Sequence, residues 1–205
     1  MPYRMVFNVD GGCRWNGQPN AIGAAAACLY YGRNDDYWSR SEILPDSPTP
    51  TSSRAELMAI NLALEWALER CEELHSDPYC IIEIYSDSQF AVDCMTYWRD
   101  IWPDNGWLNG RGCEVAKKDL LEKAFAKHHQ ILDEFGEVNY YWIPREENDD
   151  ADWECNEALD EKEDEMFGVS ETPGETGGYY EISSDSEYYS SDDDYYYQSS
   201  SDEAW

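Results

Sequence analysis

Four carboxylates stand out by what surrounds each of them: Asp10 in Val9-Asp10-Gly11-Gly12, Glu56 behind Thr51-Ser52-Ser53-Arg54, Asp87 in Ser86-Asp87-Ser88, and Asp152 in Asn148-Asp149-Asp150-Ala151-Asp152. Acids crowded together raise one another's pKa, and a divalent cation relieves that repulsion. Oxygen donors that leave positions open suit Mg²⁺, with Mn²⁺ as a substitute. Two such ions about 3.5–4 Å apart can activate a water and stabilise the leaving oxygen of a phosphodiester. Taken singly, each acid has a plainer role: Glu56 as a charge near a helix start, Asp152 as an exposed helical acid. With 44 acids in 205 residues, only shared placement lifts the set above coincidence.

The pattern of elements supplies that placement. Tyr3 to Val9 alternates and reads as a strand that Asp10-Gly11-Gly12 ends, Ala21 to Tyr31 is a second, and Tyr37 to Leu44 a third. Short turns between them imply an antiparallel meander. Thr51 to Ser53 offers a helix cap. A helix follows over Ala55 to Leu74, with Leu57, Ile60, Leu64 and Leu68 at helical spacing and Glu56 in its first turn. Cys80 to Tyr85 reads as a buried strand and Gln89 to Trp98 as a helix. Val115 to Phe135 is a further helix, Val138 to Ile143 a fifth strand, and Asn148 to about Asp164 the last helix. The order predicts an α/β fold, a five-stranded mixed sheet with helices on its faces. Strand ends and helix starts at one edge would bring the four acids together.

With those elements placed, the chain resembles type 1 ribonuclease H, in the branch with a P-R-E-x-N-x-x-A-D ending. Asp10-Gly11-Gly12-Cys13 is similar to the family's first-strand signature. Thr51-Ser52-Ser53-Arg54-Ala55-Glu56-Leu57-Met58-Ala59 is similar to its helix opening, and Ser86-Asp87-Ser88-Gln89 to the phrase closing its fourth strand. Trp98 to Trp107 resembles its substrate-binding handle, and Ile143-Pro144-Arg145-Glu146-Glu147-Asn148-Asp149-Asp150-Ala151-Asp152 its closing motif. The likeness spans residues 3 to about 160.

The resemblance implies a ribonuclease H-like domain over residues 1–165. It implies an endonuclease that hydrolyses the RNA strand of RNA–DNA hybrids with two Mg²⁺ ions, with Asp10, Glu56, Asp87 and Asp152 as catalytic metal ligands. Gly11, Gly12, Cys13, Thr51, Ser52, Ser53, Trp98, Trp107, Lys117 and Arg145 become the expected substrate contacts, the first of them facing the 2′-hydroxyls that mark RNA. Arg54 is expected to support structure. The alternative is a catalytically weak or silent module on the same fold that binds nucleic acid or another protein.

Three departures bear on that choice. Positions 52 and 53 are both Ser where the family commonly carries an Asn, which shortens the reach of any hydrogen bond there. The loop before the last helix holds Arg145 and no His, since the His residues are His75, His128 and His129. The stretch Trp102 to Asn109 has one acid and no base, so its tryptophans either stack on substrate or pack the handle on itself. Lys117, Lys118 and Lys127 at near-helical spacing, with Arg111 and Lys123 nearby, form the local basic stripe.

The net charge of −30 is unusual for a nucleic-acid partner. About half of it lies in residues 160–205, where fifteen acids accompany the single base Lys162. We read the rest as a well-solvated acidic surface, in preference to salt adaptation or to a surface that repels bulk nucleic acid. Residues 166–205 are Ser, Asp, Glu, Tyr and Gly with few aliphatic side chains, the composition of a disordered acidic tail. Such a tail can recruit a protein partner or compete with nucleic acid for the Lys stripe, and Ser184, Ser186, Ser190 and Ser191 sit beside acids as kinase targets do. The seven Cys show no zinc or disulfide spacing and read as reduced, mostly buried thiols. The N-terminus reads as a strand and not as a signal peptide, and no apolar run reaches the ~18–20 residues of a membrane span. A soluble, intracellular monomer is expected, in nucleus or cytoplasm.

Overall fold

The structure is a computed structural model that describes residues 2–32, 36–76 and 78–168. The acidic tail expected from residue 166 lies, from residue 169 on, outside the described residues. Strand β1 (Tyr3–Arg14), β2 (Ile22–Tyr31), β3 (Asp36–Ile43), β4 (Cys80–Ser86) and β5 (Gly136–Trp142) form one sheet in the order β3-β2-β1-β4-β5. The β1–β2 and β2–β3 pairs are antiparallel, while β1–β4 and β4–β5 are parallel. This is the expected five-stranded mixed sheet.

β2 explains how the two layers meet. Its run Ile22-Gly23-Ala24-Ala25-Ala26-Ala27-Cys28-Leu29 is buried along its whole length. Ala25, Ala27 and Leu29 join Met5, Phe7 and Val9 of β1 in a core with α1 (Ser52–Glu72) and α4 (Lys118–Glu134). Ala24, Ala26 and Ile22 face the opposite side and pack on Cys155, Ala158 and Leu159 of α5 (Asp149–Phe167). Alternation along the strand sends successive side chains to opposite faces, and the small alanines let a helix lie close on each. The predicted stripe Leu57, Ile60, Leu64 and Leu68 of α1 is buried, as its spacing requires.

Several boundaries differ from the sequence reading. β1 does not stop at Asp10-Gly11-Gly12: it continues to Arg14, because Gly11 and Gly12 pair with Ala25 and Ala24 of β2. α1 starts at Ser52, capped by Thr51, whose hydroxyl accepts from Arg54 N at 3.3 Å, so Glu56 falls in the second turn. The segment expected as one helix from Gln89 to Trp98 splits into α2 (Gln89–Asp93) and a π-helical turn (Cys94–Trp98), and a short helix not expected from the sequence, α3 (Ile101–Asp104), follows. α4 begins at Lys118 and not at Val115. Val115 N donates to Trp107 O at 2.9 Å, and Lys117 takes a left-handed conformation (φ 60°), both incompatible with a helix there. A 3₁₀ turn, Arg145–Glu147, leads into α5. All seven cysteines are free thiols, five of them buried.

Candidate active site

The acid-bearing elements converge at one edge of the sheet for identifiable reasons. Val9 of β1 sits opposite Ser86 of β4 in parallel register, so Asp10 and Asp87 follow side by side on strands about 4.8 Å apart. Gly11 brings in Glu56. A Cβ on Gly11 would lie 2.1 Å from the carbonyl carbon of Ala55 and 2.2 Å from Glu56 N, so only a glycine lets β1 touch the backbone of α1 there. Asp152 lies in the first turn of α5, with its N–H donating to Asn148 O at 3.1 Å.

Electrostatics show that these carboxylates are close neighbours. Burial pushes Asp10 up to about 7 from its ordinary 3.8, and the charges of Asp87 and Asp152 add to the rise. The Gly11 N–H and Arg145 oppose it. Glu56 is also raised, by burial first and by Asp87, while hydrogen bonds from Ser88 and Ser52 and the charge of Lys117 work the other way. Ser88 Oγ donates to Glu56 Oε2 at 2.6 Å. Arg145 Nη2 donates to Asp152 Oδ1 at 2.6 Å, and Asp10 and Asp87 also attract the guanidinium. A positive group thus already sits where the acids need one. Asp150, a neighbour that could compete with Asp152, is engaged elsewhere: Tyr30 donates its hydroxyl proton to Asp150 Oδ2 at 2.7 Å.

Among the described residues, no group of three or more His, Cys, Asp or Glu forms a ready-made metal cage. The donor set nevertheless fits Mg²⁺, which is held by one or two carboxylates, waters and substrate phosphates rather than by an all-protein cage. Burial is the first cause of both raised pKa values, and the like charge of Asp87 adds to each.

The residues expected to touch substrate fall into two groups. Ser52 and Ser53 are half-buried in the first turn of α1, on the acid-bearing edge, and Lys117 is near enough to Glu56 to stabilise its charge. Thr51 caps α1 with its hydroxyl. Gly12 N donates to Cys155 Sγ at 3.0 Å, and the Cys13 thiol is pushed up to about 11 by burial, so both are engaged with the protein interior. The handle tryptophans Trp98 and Trp107 are partly buried against neighbouring rings. Trp98 stacks on Trp102 with ring centroids 5.2 Å apart, and Trp107 on Phe125 at 5.5 Å. Two members of the basic stripe are paired with acids, Lys118 with Glu114 and Lys127 with Glu65, at 2.8 and 2.7 Å. Arg54 supports structure as expected: it is buried and grips both carboxylate oxygens of Asp119 on α4, at 3.0 and 2.6 Å.

Three residues at this edge were not singled out from the sequence. Ser88 and Asn148 lie inside the quoted motifs, but nothing local marks what they touch. Trp142 ends β5 with its ring half-exposed and its Nε1 donating to Asp87 O at 2.9 Å, a contact 55 residues long.

Residues 2–152 match the family model for RNase H. The chain belongs to the RNase H family. It is accordingly an enzyme of the ribonuclease H type. A ribonuclease H from Clostridium botulinum is 32% identical over 161 residues, covering 77% of this chain and 97% of that protein. Among solved structures, LC9-RNase H1, a type 1 RNase H with the type 2 active-site motif, superposes with a TM-score of 0.60 at 21% identity, covering 78% of this chain and 74% of that one. LC11-RNase H1 in complex with an RNA/DNA hybrid gives 0.55 at 22% identity, covering 77% and 98%. The two structural likenesses show the shared fold.

Proposed function

We propose that this RNase H-family chain is a divalent-metal-dependent endonuclease that cuts the RNA strand of RNA–DNA hybrids. The observation that carries the reading is the convergence of four acid-bearing elements at one sheet edge: Asp10 and Asp87 follow paired positions of β1 and β4, Gly11 brings β1 against the backbone at Glu56, and Asn148 links Asp87 to the turn that carries Asp152. Asp10, Glu56, Asp87 and Asp152 would hold Mg²⁺, or Mn²⁺ in its place. When bound, the metal lowers the pKa of an attacking water and stabilises charge on the phosphate. The chain's own contribution is to hold these carboxylates converged on a rigid sheet edge. Ser52 and Ser53, in the first turn of α1 beside Glu56, would offer short hydroxyls to the 2′-OH groups that distinguish RNA. Arg145, now on Asp152, and Lys117, beside Glu56, are placed to meet a phosphate once metal takes over the acids. The acidic surface and base-poor handle imply that hybrid is held chiefly at the site itself, with little long-range attraction.

The test is cleavage of a labelled RNA–DNA hybrid by the full chain in Mg²⁺ and in Mn²⁺, with Asp10→Asn, single-stranded RNA and double-stranded DNA alongside. Internal RNA cuts by the unsubstituted protein alone are expected. Tight hybrid binding with no cleavage in either metal would replace this reading with the silent binding module.

A further inference from the structure

We propose that Asn148 is the positioning residue that holds the acid cluster in its metal-receiving geometry, an inference that rests on the metal-site reading above. Asn148 has no exposed surface at all. Its amide nitrogen donates twice, to Val9 O at 3.1 Å and to Asp87 Oδ1 at 3.2 Å. Its backbone N–H donates to Arg145 O at 3.0 Å, and its backbone carbonyl receives the N–H of Asp152 at 3.1 Å. One residue therefore joins the strand position before Asp10, the carboxylate of Asp87 itself, the loop that carries Arg145, and the first turn of the helix that carries Asp152.

The chemistry of the position calls for Asn. Two donors must leave one atom in divergent directions, towards a backbone carbonyl and a carboxylate, and the group must be neutral. Ser and Thr have a single donor. Asp would offer no donor and would add another negative charge to a cluster in which Asp10 already resists ionisation. Aligning a ligand's carboxylate by a buried hydrogen bond is the usual way a protein tunes a metal site, and losing such a partner typically costs about 10–100-fold in metal affinity or activity.

The experiment compares the unsubstituted full chain with Asn148→Ala and Asn148→Ser. Mn²⁺ binding to the substrate-free proteins is measured by calorimetry, folding by circular dichroism, and hybrid cleavage as a function of Mg²⁺. The expected result for a folded Asn148→Ala is Mn²⁺ affinity weaker by about 10–100-fold. Its kcat should fall at fixed Mg²⁺ and recover in part as Mg²⁺ is raised, with KM for the hybrid nearly unchanged. Asn148→Ser, which keeps one donor, should fall between, and it carries the test if Asn148→Ala does not fold. Folded variants that bind Mn²⁺ as the unsubstituted protein does would overturn the role of Asn148 and leave the nuclease reading standing. An unsubstituted protein that neither binds Mn²⁺ nor cuts hybrid would overturn that reading, and this inference with it.

Discussion

Gly11→Ala puts the central geometric claim at risk with one methyl group. The added Cβ would sit 2.1 Å from Ala55 C, 2.2 Å from Glu56 N and 2.4 Å from Ala55 O. All three are backbone atoms and cannot rotate away. Ordinary contact between carbon atoms lies near 3.5 Å, so β1 and α1 must part by more than about 1 Å. Overpacking of this kind costs about 1–3 kcal/mol, and rigid neighbours place Gly11→Ala at the upper end. For a folded unit of this size that corresponds to a Tm lower by about 6–12 °C. The same displacement moves Glu56 away from Asp10, and a misplacement of about 1 Å can cost about 100-fold in rate. Gly12→Ala is the internal control: its Cβ would meet Leu159 Cδ1 at 2.9 Å and Cys155 Sγ at 3.2 Å, side-chain ends that can shift. It should cost about 1 kcal/mol and leave most activity. Urea unfolding and hybrid-cleavage kinetics on both variants decide the matter. A Gly11→Ala protein with near-normal stability and kcat would refute the claim that this close approach builds the site.

Asp10→Asn should abolish cleavage and, in metal-free buffer, raise stability. The folded-state pKa of about 7 lies above the ordinary 3.8, so Asp10 contributes fully below pH 3.8 and its contribution is lost as pH rises through 7. Asn is neutral throughout, so the gain should be about 2–4 kcal/mol at pH 8 and smaller at pH 5, read by denaturant titration. A gain independent of pH would contradict the placement of Asp10 among acids. His128 works in the opposite direction. Burial first, then the charges of Arg99 and His129, lowers it to about 4 from 6.5, so its contribution is present above pH 6.5 and lost as pH falls through 4. Between pH 7 and 4.5 the unsubstituted protein should lose about 2–3 kcal/mol more than His128→Gln, and equal losses would reject this. Asp119→Ala leaves the buried Arg54 guanidinium without its bidentate partner. Because Asp119 is half-exposed, the expected cost is a modest ~1–2 kcal/mol, measured by thermal unfolding, and no change would show the clamp to be idle.

Local pattern made much of this protein legible. The apolar spacing of Leu57, Ile60, Leu64 and Leu68 encodes the buried stripe of α1, and the alternation in β1 encodes which side chains enter the core. The four acids were visible because each sits in a phrase of its own at a strand end or helix start. Where the reading missed, a non-local contact overrode a local signal. Asp10-Gly11-Gly12 reads as a strand end because glycines punctuate chains, yet pairing with β2 carries the strand on to Arg14. Val115 to Lys117 shares the helix's composition, but its bond to Trp107 holds it in the handle.

The sequence by itself determined the fold class and the family, since both are written in residue types and short spacings, and it nominated the four acids. Only the tertiary structure decided the rest. It engages Asp150 with Tyr30, stacks Trp98 on Trp102 and Trp107 on Phe125, pairs Lys118 and Lys127 with acids, and gives Asn148 its place between β1, Asp87 and α5. The hydrogen bonds of Tyr30 and Asn148 cross 120, 139 and 61 residues of chain. No period along the sequence records such a contact: it exists only when packing brings two distant segments within hydrogen-bonding range.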